Sequence, residues 1–249
     1  MNLLKKHKTK RRILAGLLVV LVVAGLGIWK YLTPYAPEPA AETALISAGG
    51  VTVEKNDNWI SFEPSAILGT SVIFYPGGLV KPEAYAPLAK KIAAAGHPFY
   101  IAKMPLNLAV IDGDAASDII RVHPQQTFVI GGHSLGGVMA SRYAAEHADE
   151  LEGVYFLASY ADEKGSLKDT TLSVLSVLGT KDEVVDRDKY NQGRSYLPSN
   201  TVYTSIPGGN HGQFGSYGPQ KGDGTPSISE EEQQSSTARA MLDWLGNLR

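Results

Sequence analysis

No cysteine occurs anywhere in the 249 residues of this chain. Structural disulfides, thiolate metal sites and a cysteine nucleophile are therefore excluded. The absence suits a reducing cytosol, and equally an exported protein without disulfides, so it does not decide the compartment. Acidic residues are missing from the first 30 positions, which hold seven of the 23 Lys and Arg and none of the 25 Asp and Glu. The remainder has 16 basic against 25 acidic residues, a net charge of −9. Such a surface repels nucleic acid and anionic headgroups, so no nucleic-acid partner is expected. Internal repeats are absent too. What is present is a hydrophobic content of 43%, enough for a real core and too high for a disordered protein. The length suits one medium domain with an appendage.

The appendage is N-terminal. Lys5, Lys6, Lys8, Lys10, Arg11 and Arg12 precede an apolar run from Ile13 to Ile28, with Trp29 and Tyr31 at its far edge. At ~1.5 Å per residue the run and its aromatic flank roughly cross a bilayer core of ~30 Å. The basic cluster stays in the cytoplasm and the aromatics sit at the opposite interface. The expectation is a cytoplasmic tail over residues 1–12 and a single transmembrane signal anchor over 13–32. The rest of the chain then lies on the extracytoplasmic side of the cell membrane. A cleaved signal peptide is the rival reading, although its best small-residue site, Ala40-Ala41, lies well beyond the apolar run. A lipid anchor is excluded because no cysteine follows the run. Residues 33–44, with three prolines and no apolar periodicity, read as an extended stem before a domain over 45–249.

Within that domain, short β-rich runs alternate with helical stretches. Val51–Glu54 and Trp59–Glu63 read as an antiparallel pair around an Asn-Asp-Asn turn. Strands follow at Ser71–Tyr75, Phe99–Met104, Thr127–Gly131, Gly153–Ser159, Leu172–Gly179 and Thr201–Ile206. Helices are expected over Pro82–Ala95, Ala115–Val122, Ser134–His147 and Val185–Arg194. A last helix begins after Ser229, where Ser-Glu-Glu-Glu has the form of a capping box and Ala238, Met241, Leu242 and Leu245 share one face. Two antiparallel strands followed by strand-helix alternation predict an α/β fold. Its eight-stranded, mostly parallel, doubly wound sheet would carry helices on both faces.

The chemistry concentrates in Gly132-His-Ser134-Leu-Gly136, which lies between an apolar strand and a helix. That context is what a nucleophile elbow needs: a strained serine, glycines two residues away on each side, and a helix N-terminus behind it. A glycine-rich turn with Ser134 as a plain N-cap is the bland alternative. A serine hydroxyl needs a general base, and position eliminates most of the six histidines. His7 is cytoplasmic, His97 and His123 precede strands, and His147 ends the helix that Ser134 begins. His133, at the variable position of the motif, reads as pointing away from the chemistry. His211 alone follows the last strand, in Gly-Gly-Asn-His-Gly. For the acid that orients the imidazole, Asp182 follows a strand at the same end of the sheet, with Asp162 as the runner-up. An oxyanion hole takes two N–H donors. Leu135, next to the nucleophile, supplies one, and Gly78 in Tyr75-Pro-Gly-Gly-Leu79 is the first choice for the other, with Leu79 and Gly77 open. No metal site is expected.

With Gly-His-Ser-Leu-Gly-Gly, Tyr-Pro-Gly-Gly, Gly-Thr-Lys-Asp and Gly-Gly-Asn-His in the order Ser134, Asp182, His211, the sequence resembles the α/β-hydrolase superfamily. It looks closest to its small, single-domain bacterial members near the dienelactone-hydrolase branch. The resemblance covers roughly residues 50–248. It implies a small-molecule acyl substrate and acyl-enzyme hydrolysis of an ester, thioester or amide, carboxylesterase-like and without a cofactor. Dienelactone hydrolases use a cysteine where Ser134 stands here, so their substrate is not carried over. Too few residues separate the strands at Gly153–Ser159 and Leu172–Gly179 for a helical cap. The cleft is therefore expected to be open, unless the glycine-rich stretch 212–224 folds across it with Phe214 and Tyr217 as walls; a mobile surface loop is the other reading. An acyltransferase using the same three residues and a catalytically silent binding module are the alternative functions.

Overall fold

The computed structural model describes residues 33–248. The expected cytoplasmic tail and transmembrane anchor, residues 1–32, lie outside the described residues. Among the described residues, no helix is long and apolar enough to cross a membrane. The chain divides into a short unit, Met1–Pro34, and a large one, Tyr35–Arg249, which holds the sheet, its helices and the candidate site.

Eight strands form one sheet: β1 (Val51–Lys55), β2 (Trp59–Pro64), β3 (Ser71–Tyr75), β4 (Phe99–Ala102), β5 (Phe128–His133), β6 (Gly153–Leu157), β7 (Ser173–Gly179) and β8 (Val202–Ile206). Their spatial order is β1-β2-β4-β3-β5-β6-β7-β8. The β1–β2 pair is antiparallel and the sheet mostly parallel, as the sequence pattern predicts; the β2–β4 pair is antiparallel as well. The central strands are apolar on both faces because both are covered. In β3, Val72 and Phe74 enter one core, whereas Ile73 and Tyr75 enter the other. The first core takes α2 (Ala86–Ala94) and α6 (Glu230–Leu245), and the second takes α3 (Ala115–Val122) and α4 (Leu135–Glu146). Truncating a side chain such as Phe74, which has no exposed surface, typically costs about 3–5 kcal/mol.

The strand order fixes where a ligand can sit. The chain leaves β3, goes outward to β4, then returns to the other side of β3 as β5. Two neighbouring parallel strands whose connections run in opposite directions leave a crevice at their carboxyl ends. The loops after β3 and β5 are Tyr75-Pro-Gly-Gly and the Ser134 elbow, so the fold itself brings them together.

Two segments differ from expectation. Residues 33–44 are not an extended stem from Tyr35 onward. The Tyr35 N–H donates to the Leu79 carbonyl at 2.7 Å, and Pro39–Ala44 forms a short helix, α1, whose Ala41 and Ala44 are buried. Proline content misleads here because Pro39 occupies the first turn, where its missing N–H costs nothing. The small side chains at 41 and 44 then lie on one face and dock closely. The helix expected to start at Val185 begins instead at Arg187 as α5 (Arg187–Gly193), because the Asp186 side chain accepts from the N–H groups of Asp188 and Lys189. The last helix matches the sequence reading, with the Ser229–Glu232 capping box formed.

Candidate active site

Strand β5 ends at His133 and helix α4 starts at Leu135, so the whole reversal falls on Ser134, at φ 52° and ψ −124°. A non-glycine residue in that region is strained and persists only when its surroundings hold it there. Here the Ser134 N–H donates to Leu157 O at 3.0 Å, and Ser159 Oγ donates to Ser134 O at 2.6 Å. The flanking glycines are required by the neighbouring strand. A Cβ on Gly136 would lie 2.1 Å from Tyr75 O, and one on Gly132 would lie 2.3 Å from the same atom. The elbow therefore presses directly on the end of β3.

His211 follows β8 and is 1% exposed. Its Nδ1 is 2.9 Å from Asp182 Oδ2. Asp182 keeps that oxygen aimed at the ring because its other oxygen accepts the N–H groups of Val184 and Val185, at 3.0 and 2.9 Å. Asp162 is occupied elsewhere. It caps the turn Glu163–Gly165 and pairs with Arg142 through both carboxylate oxygens. Its partial burial acts to raise its pKa, but the Arg142 and Gly165 hydrogen bonds outweigh that and hold it below the usual carboxylate range. The structure thus joins Asp182, not Asp162, to His211.

His211 Nε2 is buried and has no hydrogen-bond partner among the described residues. His211 and Ser134 line the same depression, a space of about 220 Å³ also lined by Leu135, Val138, Val184 and Val185. The hydrogen bond from Ser134 Oγ to His211 Nε2 is not formed in this structure; such bonds commonly tighten only when substrate is bound. No helical insertion occupies residues 158–172 between β6 and β7, where the one helical element is the turn Glu163–Gly165. A larger cavity of about 850 Å³ lies between β8 and α6 and includes no residue of the elbow. Its size does not outweigh the chemistry gathered around Ser134.

The oxyanion candidates separate by hydrogen bonding. In the loop after β3, Gly77 N–H donates to Tyr85 OH at 3.0 Å and Leu79 N–H to Asn107 O at 2.8 Å. Gly78 N–H has no acceptor among the described residues, and neither has Leu135 N–H at the start of α4. The two residues are adjacent, since a Cβ on Gly78 would meet Leu135 Cδ2 at 3.2 Å.

Several features were not read from the sequence. His133 does not point away from the site: its ring centre is 4.5 Å from that of His211. The first part of the stretch after His211 packs inward. Phe214 and Tyr217 are buried in the first core, and neither lines the depression at Ser134. Asp223, in the same stretch, accepts the N–H groups of His211 and Gly212 at 3.2 and 2.8 Å and so fixes the backbone at His211. Gln233 of α6 accepts from Asn210 N and donates to Asn210 O, at 2.9 and 2.8 Å. A glutamine on an apolar helix face was the available signal for that clamp.

A sequence model described as the alpha/beta hydrolase family matches residues 71–235. The chain belongs to that family. No curated protein matches it. Among solved structures it is similar to a predicted CIB-like hydrolase from Thermoplasma acidophilum, at 19% identity and a TM-score of 0.59 over 80% of this chain and 100% of the other. It is similar to a dienelactone hydrolase from Anabaena variabilis at 14% identity and a TM-score of 0.60, over 80% and 100% of the two chains. A bacterial heroin esterase aligns at 12% identity and a TM-score of 0.59, over 83% and 88%. At these identities the likeness is one of fold. This alpha/beta hydrolase keeps the family's eight-stranded sheet with helices on both faces.

Proposed function

We propose that this alpha/beta hydrolase is a serine hydrolase that cleaves a small ester or related acyl bond through an acyl-enzyme. Ser134 is the nucleophile, His211 the base and Asp182 the acid. The observation that carries the reading is the buried His211–Asp182 pair: the remaining imidazole nitrogen has no partner among the described residues, and His211 lines the same depression as Ser134.

In the first half-reaction Ser134 Oγ attacks the acyl carbon while its proton passes to His211 Nε2. Asp182 accepts the hydrogen bond of Nδ1–H and stabilises the imidazolium. Negative charge on the carbonyl oxygen is met by the N–H groups of Gly78 and Leu135. Collapse breaks the bond to the alcohol, which leaves with the proton from His211. Water repeats the sequence and releases the acid. The chain's own groups carry each of these steps. The basic residues before the apolar run support placing this domain outside the cell membrane, tethered by residues 13–32.

The test is labelling of the protein with a fluorophosphonate, wild type beside Ser134→Ala, followed by turnover of short- and long-chain aryl esters. Label on the wild type alone, with ester turnover, is the expected result; equal labelling of both proteins sinks the reading. Turnover that requires an added alcohol or amine acceptor would identify an acyltransferase instead. Carbonate-resistant membrane fractionation, with protease access only from the outside, tests the anchor.

A further inference from the structure

A second buried histidine lies directly behind the proposed base, and its hydrogen bonds leave no freedom of direction. His133 Nε2 is 3.1 Å from the main-chain oxygen of His211, and His133 Nδ1 is 2.9 Å from Tyr85 OH. Tyr85 OH in turn receives the Gly77 N–H at 3.0 Å. A carbonyl oxygen only accepts, so Nε2 must carry the proton. In a neutral ring Nδ1 is then an acceptor, so the Tyr85 hydroxyl must donate to it, leaving its own oxygen to accept from Gly77. Every donor and acceptor in the chain is used once, in one order: Gly77 N–H to Tyr85, Tyr85 to His133, His133 to His211 O.

We infer that His133 is a positioning residue of this hydrolase: with Tyr85 it ties the main chain of the base to the oxyanion loop. The inference rests on the proposed roles of His211 and Gly78. Without the link the two loops, which follow β8 and β3 and are separated in the sheet by β5, β6 and β7, share no such tie. Glycine at 77 is part of the device, because a Cβ there would lie 2.7 Å from His133 Nδ1 and 2.9 Å from Tyr85 OH. The neighbours of His133 suit a neutral ring. They are Tyr85 from the turn before α2, His211 from the loop after β8, and Phe214 and Tyr217 from the stretch that follows. None supplies a carboxylate partner. Burial first, and then the nearby His211, hold its pKa well below the ordinary imidazole value. Burial also raises the Tyr85 phenol, so it stays protonated and able to donate.

Two measurements on the full chain test this. Nitrogen-15 spectra of the histidine rings should show His133 neutral and protonated at Nε2 at pH 7, with the resonance assigned by its loss in His133→Asn. In ester turnover, His133→Asn cannot reach the His211 carbonyl. It should lower kcat by about 10- to 100-fold with KM nearly constant, the pattern of displaced but intact machinery. His133→Gln, whose amide nitrogen reaches the Nε2 position, should recover most of the loss. The losses of Tyr85→Phe and His133→Asn should be less than additive in the double variant, because both cut one chain. A cationic or Nδ1-protonated His133 overturns the inference even if the variants fold poorly. A wild type that labels at Ser134 and turns over ester, matched in kcat by His133→Asn, overturns the relay alone. A wild type that neither labels nor turns over removes the hydrolase reading and the relay with it.

Discussion

His211 Nδ1 lies 2.9 Å from Asp182 Oδ2, with the two side chains 1% and 0% exposed. The pair is buried, and protein atoms orient it: Asp223 on the backbone of His211, and the Val184 and Val185 N–H groups on the carboxylate. Removing a member leaves a buried polar group unpaired, which is more costly than removing an exposed one.

Asp182→Asn should therefore reduce kcat by about 10³-fold or more, through loss of the correct imidazole tautomer. Asp162→Asn should leave turnover within about 3-fold, because Asp162 serves Arg142 and the turn at Glu163. Steady-state ester hydrolysis by the two variants side by side checks this. If Asp162→Asn alone abolishes activity, Asp182 is not the acid.

Replacing Ser134 separates chemistry from strain. Ser134→Ala and Ser134→Gly should both lose activity. The glycine variant should unfold at a higher free energy than the alanine variant by about 1 kcal/mol, because only glycine tolerates φ 52° without a Cβ penalty. Urea denaturation followed by tryptophan fluorescence measures the difference. Equal stability would mean that the elbow is not strained.

Gly136→Ala acts through packing. Its Cβ would meet Tyr75 O and Pro76 O at 2.1 and 2.4 Å, both backbone atoms that cannot swing aside. A loss of about 3 kcal/mol or more is expected, visible as a fall in Tm or as insoluble protein. A soluble variant with an unchanged Tm would contradict the close contact of elbow and β3.

The buried His133 makes stability depend on pH. Its folded pKa is depressed below the ordinary imidazole value of about 6.5, so below about pH 6.5 the unfolded chain binds a proton that the folded protein does not. Stability from this group is complete above that pH and is lost as the pH falls, by at most about 1.4 kcal/mol per pH unit for one proton. His133→Gln should flatten the dependence of unfolding free energy on pH between 7 and 5. An identical slope in both proteins would show that His133 is not held neutral.

Much of the fold was legible because its signals are local. Eight short apolar runs, the helical spacing between them and the Ser229 capping box depend only on neighbours along the chain, and the strands appear within a few residues of expectation. The region 33–44 departs from expectation for the same reason: proline content is a local cue, whereas Ala41 and Ala44 are buried in a helix that packs on α2, far along the chain.

Within the site, the sequence by itself determined the candidates: a serine between glycines at a strand-helix junction, one histidine after the last strand, two aspartates after earlier ones, and a Pro-Gly-Gly turn. Only the tertiary structure decided among them. It placed Asp182 against His211 while Arg142 took Asp162. It engaged the N–H groups of Gly77 and Leu79, left that of Gly78 without an acceptor among the described residues, and set His133 against His211. The physical reason is that a hydrogen bond between residues tens of positions apart leaves no periodicity in the sequence. Which donor meets which acceptor is settled only when the strands pack side by side and bring the ends of their loops to one edge of the sheet.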